Sequence, residues 1–421
     1  MNHVAAESAD ILVDHLFRNR AGQMVAYLTR LLGPEHLDLA EEVVQEALLK
    51  ALQNWPYSGV PQNPAGWLFR VARNAALDAI RHRTVVRKDA ASYVSTHQDS
   101  ELSELDDTAL EEQLRDDELR MVLMCCHPAL PRDARVALSL KTVGGFSTRE
   151  IARAFLCDEP TIAQRLVRAK RQIRENPITF ELPAGDDLAS RLDSALEVIY
   201  LMFNEGYTAQ SGEDLVRHDL CGEALRLARL LATSSVATPQ AHALVAMIAF
   251  QAARLPARVD SAGELVLLED QDRTLWDQTL VGLGFRHFSE CAEGTYMSAY
   301  HVQAAIAAVY AGAQQSIKIN WPAILSLYDK LMEISPSPVV ALNRAAAVSK
   351  VHGAQAALTA LRPLVEDRSL RNYYLLPAVQ GRLLLDLGDR GAAADCFRQA
   401  LARPCSEPEK RFLQRRLRES T

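Results

Sequence analysis

The sequence predicts an all-α protein. Two small helical units, the second built around a helix-turn-helix, are joined by an acidic linker and followed by a long helical-repeat region. Three observations lead there. Apolar residues make up 48% of the chain but aromatics only 6%, with Ala and Leu abundant, a balance that favours helices over sheets. Between Pro- and Gly-containing breaks, apolar residues recur at helical spacing. Near the end, one amphipathic pattern returns at a fixed interval. At 421 residues the chain exceeds one ordinary domain, and roughly two to four are expected.

The elements follow in order. "ILVDHLFRNRAGQMVAYLTRLLG" sets Leu12, Leu16, Val25, Leu28 and Leu32 at helical spacings and stops at Gly33-Pro34. "LDLAEEVVQEALLKALQNW" is the next helix, with Val43, Ala47, Leu48 and Leu52 on one side. The loop "PYSGVPQNP" holds three prolines and a glycine and breaks it. "AGWLFRVARNAALDAIRHR" is helical again and ends strongly basic. Residues 89–118 then carry eleven acids and a single Arg with few large apolar side chains. This reads as a mobile acidic linker with some helix towards its end.

In "FSTREIARAFLCDEPTIAQRLVRAKRQIR", residues 146–174, Ser147 and Glu150 have capping-box spacing, so a helix starts near Thr148. Asp158 is the expected N-cap of the next helix, with Pro160 in its first turn. The short connection is that of a helix-turn-helix. Ile162, Leu166, Ala169 and Ile173 face the core, which leaves Thr161, Gln164, Arg165 and Arg168 outward, followed by Lys170, Arg171 and Arg174. Five of these are basic in a chain of net charge −7, so the positive charge is local. Arg can bond guanine bidentately, Gln can pair with adenine, and Lys or Arg neutralises phosphates. A recognition helix uses its N-terminal residues for base edges, here Thr161, Gln164 and Arg165.

Context sharpens this reading. "LAEEVVQEALLKAL" followed by "NPAGWLFRVARNAALDAIRHR" resembles regions 2.2 to 2.4 of bacterial sigma factors, more closely the extracytoplasmic-function (ECF) group, and the resemblance covers about 160 of the first 175 residues. The resemblance implies that Glu41, Glu42, Gln45 and Glu46 meet the polymerase β′ clamp. It further implies that the loop from Pro56 to Pro64 shapes a pocket for a flipped −10 base. Asn63, Trp67, Arg70, Arg73, Asn74, Arg81 and Arg83 would contact the −10 element, although Trp67 fits an inward core position equally well. Arg149, Thr161, Gln164, Arg165, Arg168, Lys170 and Arg171 would read the −35 element. Pro160 and Ala163 stand where many relatives carry Gly and a basic residue, so some phosphate contacts are expected to be missing. The linker would pass near the RNA exit path, either mimicking nucleic-acid charge or serving as a solvated spacer. Core RNA polymerase (β′ clamp and β flap) and promoter DNA are the implied partners. The rival is a helix-turn-helix regulator that acts without core polymerase, which leaves the Glu41–Glu46 helix and the basic Arg70–Arg83 helix without a role.

Beyond the joint "NPITFELPAGDD" the chain stays helical. "AILSLYDKLMEISP" begins at Ala323 and "AADCFRQALARP" at Ala393, with "GAQAALTALRPL" near the midpoint, which gives a period of about 35 residues. That is similar to the tetratricopeptide class of helix-turn-helix repeats. A subgroup of ECF factors carries such an extension, and "CCHPALP" with "YLMFNEGY" resembles it. A stacked helical array offers a concave surface to a protein or peptide, and regulation in cis is implied. The expected division is 1–88, 89–118, 119–177, 186–300 and 301–421.

Other chemistry finds little support. The seven cysteines are odd in number and fit no disulfide or CxxC framework, so a reducing cytoplasm is expected. No signal segment and no membrane span is expected. Cys125, Cys126 and His127 are adjacent and lack zinc-ligand spacing, so they are read as core residues. Asn204, Glu205, Tyr207, Glu213, Asp214 and His218 could be drawn as a carboxylate/His site. No nucleophile, phosphate loop or cofactor motif accompanies them, and they are read as a helix junction. Neither enzyme activity, nor a cofactor, nor a metal is expected.

Overall fold

The computed structural model describes residues 20–86, 107–155, 157–176, 178–207, 216–293, 296–313 and 319–421. Among the described residues there are eighteen α-helices and no strand, only an isolated bridge between Val259 and Leu265. The fold is all-α, as the sequence indicates. No helix among the described residues is long and apolar enough to cross a membrane. The chain forms two compact units, the first reaching Val198 and the second starting at Ile199.

In the first unit, helix α1 (residues 20–32) buries Met24, Val25 and Leu28 and ends at Gly33, whose φ of 90° lies in the left-handed region that favours glycine. Leu12 and Leu16 lie outside the described residues. Helix α2 (Leu37–Ser58) buries Val43, Val44, Ala47, Leu48, Ala51 and Trp55. Helix α3 (Pro64–Val86) packs on α2 and meets α1 through an edge-on contact of Tyr27 and Phe69, ring centres 6.0 Å apart. Helices α4 (Asp107–Cys125), α5 (Arg132–Thr142), α6 (Thr148–Ala154) and α7 (Glu159–Glu175) complete the part that bears on the site.

Residues 89–106 of the expected linker lie outside the described residues, but its last acids are not a solvated spacer. The Arg20 guanidinium grips Glu111 with two contacts of 2.9 and 2.6 Å. Arg30 Nε donates to the fully buried Asp117 at 3.0 Å, and Gln23 Nε2 donates to Glu118 at 3.2 Å. Acids that look like linker in sequence therefore fix α4 against α1. The buried thiols beside them are core groups. Cys125 Sγ lies 3.2 Å from Thr142 Oγ1, and burial pushes the Cys126 thiol up to about 12. The first unit also extends past residue 177. Glu197, in helix α8 (Gly185–Tyr207), meets Arg132 at 2.9 Å and Arg135 at 3.8 Å, and Arg191 reaches the Leu123 carbonyl at 3.5 Å.

The second unit continues with α9 (His218–Ala232), α10 (Pro239–Ala253), α11 (Gln278–Glu290) and α12 (Ala299–Gly312). At its start Gly206 lies against the next helix so closely that a Cβ would come within 2.8 Å of Leu220 Cβ. Asn204, Glu205 and Tyr207 sit half-buried at this junction, and burial raises the Glu205 carboxyl. His218 is exposed, and Glu213 and Asp214 lie outside the described residues. Three helix pairs follow: α13 (Trp321–Ile334) with α14 (Pro338–His352), α15 (Ala354–Leu361) with α16 (Leu375–Asp386), and α17 (Arg390–Leu401) with α18 (Glu407–Ser420). The leading helices start at 321, 354 and 390, spacings of 33 and 36 that match the period read from sequence. Close approach is allowed where it is needed, since a Cβ on Gly381 would stand 3.0 Å from the Phe397 ring.

Candidate nucleic-acid interface

The helix-turn-helix begins as the sequence indicates. Ser147 and Glu150 form a reciprocal capping box, with Glu150 N donating to Ser147 Oγ at 3.2 Å and Ser147 N donating to Glu150 at 2.8 Å. Asp158 stands at the N-cap of α7, but its carboxylate accepts from the Thr161 hydroxyl at 2.6 Å and makes no capping bond to the amides of the first turn. Ile162, Leu166, Ala169 and Ile173 are buried, which fixes the rotation of α7. Gln164, Arg168 and Arg171 are then exposed, Thr161 and Arg165 are half-buried, and Arg149 is exposed on α6. Arg165 is held 3.5 Å from Asp133 and Arg171 2.7 Å from Glu175.

The far end of α7 departs from expectation. Lys170, assigned to the outward face, keeps only 14% of its side chain exposed and bonds both Asp38 and Glu41 at 2.8 Å. Arg174 adds a bond of 3.0 Å to Asp38. Burial alone would lower the Lys170 ammonium, but Glu41 and Asp38 outweigh it and hold it above the ordinary lysine value. Glu41, expected on an exposed face, is itself only 12% exposed, and its Oε1 has no hydrogen-bond partner among the described residues. The reason is geometric. Gly22 of α1 lies so near the end of α5 that a Cβ would stand 2.0 Å from the Val143 carbonyl oxygen. The two halves of the unit are thus in direct contact, and the first turn of α2 meets the end of α7.

The rest of α2 carries Glu42, Gln45 and Glu46 exposed. In the following loop Asn63 acts as a helix cap, accepting from Gly66 N at 2.8 Å. Trp67 is half-buried, with its ring edge-on to that of Trp55 and the ring centres 5.5 Å apart. Arg70, Asn74 and Arg81 are exposed and Arg73 is half-buried; Arg81 lies 3.6 Å from Asp78. Arg83 falls in α3, and its side chain is outside the described residues.

Comparison with known proteins agrees with this geometry. Residues 16–85 match sigma-70 region 2 and residues 120–173 match sigma-70 region 4. The chain is 34% identical over 179 residues to the ECF RNA polymerase sigma factor SigL of Mycobacterium tuberculosis (strain ATCC 25618 / H37Rv), covering 40% of this chain and 90% of that protein. The chain belongs to the ECF RNA polymerase sigma factors.

Region 2 of this sigma factor therefore spans α1 to α3, and region 4 supplies the DNA-binding helix-turn-helix of α6 and α7. The class initiates transcription and is not enzymatic. Residues 191–292 match a family of unknown function (DUF6596), a helical extension beyond the two sigma regions. An uncharacterized protein of Rhizobium meliloti (strain 1021) is 41% identical over 382 residues, 91% of this chain and 90% of its own length. The ECF RNA polymerase sigma-E factor of Escherichia coli (strain K12) is 29% identical over 136 residues, 31% of this chain and 70% of that protein. No solved structure matches.

Two exposed side chains of the sigma regions escaped the sequence reading. Tyr57, in the last turn of α2, is 89% exposed, and Val167 on α7 is 64% exposed. An aromatic beside a Pro/Gly loop could have flagged the first. Val167 looks like a core residue by type, and only the rotation of α7 turns it outward.

Proposed function

We propose that this sigma factor binds core RNA polymerase through the acidic face of α2, with Glu42, Gln45 and Glu46 on the β′ clamp and region 4 on the β flap. Arg70, Arg73, Asn74, Arg81 and Arg83 track the opened −10 element. Asn63 and Trp67 support the loop before α3, and Tyr57, at the end of α2, offers a face on which an unstacked base can lie. Arg149, Thr161, Gln164, Arg165, Arg168 and Arg171 read the −35 element, and Val167 can meet a thymine methyl. What supports this reading most is one juxtaposition: an exposed basic and amide-bearing recognition helix shares a unit with an exposed acidic helix face.

Lys170 and Glu41 join this surface only when the contact between α7 and α2 opens. Polymerase and free promoter DNA would each compete for a group that the other half of the unit now holds. The three C-terminal helix pairs are read as tetratricopeptide-like repeats that dock a protein or peptide and regulate the sigma regions in cis. The site of action is the cytoplasm, where polymerase and promoter are found.

The test is run-off transcription with core RNA polymerase from the region upstream of the protein's own gene. The full chain is compared with a version ending after Val198, which keeps the Glu197 ties to Arg132 and Arg135. Polymerase-dependent initiation is expected from the full chain, with a changed rate in the shortened one. Duplex binding without any polymerase-dependent transcript would reject the assignment in favour of an independent regulator. Equal rates and equal regulation would reject a role for the tail.

A further inference from the structure

Helices α10 and α11 press together at Gly284, where a Cβ would lie 2.6 Å from the Phe250 ring. One turn further along α11, His287 and Glu290 share a face and meet His242 of α10. His242 Nδ1 lies 2.9 Å from His287 Nδ1. Glu290 Oε2 lies 2.8 Å from the first nitrogen and 3.3 Å from the second. Among the described residues, this is the one group of three His, Cys or carboxylate residues whose ligand atoms converge so closely.

Protons alone serve this triangle badly. An ionised carboxylate only accepts, and a neutral imidazole has a single N–H. If one Nδ1 carries its hydrogen, that hydrogen faces two acceptors, and the other nitrogen's lone pair still faces the carboxylate oxygen. If neither nitrogen carries it, three lone pairs converge. If both do, both can donate to Glu290 Oε2, but the two N–H groups are then crowded, their nitrogens only 2.9 Å apart. A divalent cation would satisfy all three atoms together.

The dimensions fit. Ligand atoms around a tetrahedral zinc ion stand roughly 3.3 Å apart, so the triangle would need to open by at most about 0.5 Å. His287 is 6% exposed and Glu290 43%, so the group runs from the helix interface to the surface.

We propose that His242, His287 and Glu290 bind one divalent transition-metal ion, zinc foremost, within the segment that matches the family of unknown function. Two histidines and a carboxylate leave at least one coordination position for water or an external ligand. The ion would clamp α10 to α11 across the 3₁₀-rich connection between them.

The experiment strips the full chain with a chelator and titrates it with Zn²⁺ by calorimetry, then with Co²⁺ by absorption. One ion per chain is expected, with visible Co²⁺ bands and no near-ultraviolet thiolate band. Glu290→Gln and His242→Asn change accessible positions, and circular dichroism checks that both variants fold. Each should weaken binding by more than about a hundred-fold, beyond the loss typical of a residue that only supports a ligand. Absence of saturable one-to-one binding in the wild-type chain would overturn the site. So would unchanged affinity in both folded variants, or a Co²⁺ spectrum dominated by thiolate, which would assign the ion to cysteines instead.

Discussion

Arg168 illustrates how much one side chain can be made to test. It projects from α7 between Gln164 and Arg171, is exposed, and makes no ion pair among the described residues. A bidentate contact from Arg to guanine is worth about 1–3 kcal/mol of discrimination, and a phosphate contact contributes affinity without sequence preference. Arg168→Ala should therefore cut −35-dependent transcription about ten-fold or more while leaving the melting temperature unchanged. Equal transcription by the variant and the wild type would remove Arg168 from the recognition surface. Trp67 shows the limit of reading residues singly, because its type and position allowed two roles and its edge-on contact with Trp55 could not be read from either.

At the scale of elements, the contact between α2 and α7 makes the most distinctive claim. Asp38 is an exposed acid at the start of α2, yet it binds both Lys170 and Arg174. A carboxylate in the first turn is also favoured by the helix dipole. Asp38→Lys would place a third cation against these two and push the helices apart. The expected outcome is tighter duplex binding by the free variant in fluorescence anisotropy and faster hydrogen exchange at the end of α7. Weaker or unchanged duplex binding would mean that the contact does not restrain the recognition helix.

For the molecule as a whole, stability should depend on acid pH through the contacts between α1 and α4. The hydrogen bonds from Arg20 hold the Glu111 carboxyl below its ordinary value of 4.5. A depressed carboxylate contributes stability above its unfolded value, and that stability is lost as pH falls through the folded one. Asp117 works in the opposite sense. Burial raises it above its ordinary value of 3.8 despite Arg30, so acidification relieves a cost there. Glu111→Gln should flatten the acid limb of the melting temperature measured between pH 6 and pH 3, where ordinary carboxylates titrate at about 4. An unchanged acid limb would show that the exposed side of this pair carries no net stability, as many surface pairs do.

Much was legible before any coordinates. The stop at Gly33, the capping box at Ser147 and the buried row from Ile162 to Ile173 are all written within a few consecutive turns. So is the spacing of α13, α15 and α17. Local periodicity and caps act over one or two turns of chain, and a sequence records them directly. Partner choice is not recorded in that way. Lys170 meets Asp38 across 132 residues of sequence, Arg20 meets Glu111 across 91, and His242 meets His287 across 45. Nothing in the spacing of those residues encodes the meetings. By itself the sequence determined the helices, the buried row of α7 and the sigma-factor kinship. Only the tertiary structure decided which charges are spent inside the fold and which stay free to meet DNA, because ion pairs form by distance in space, and packing alone sets that distance.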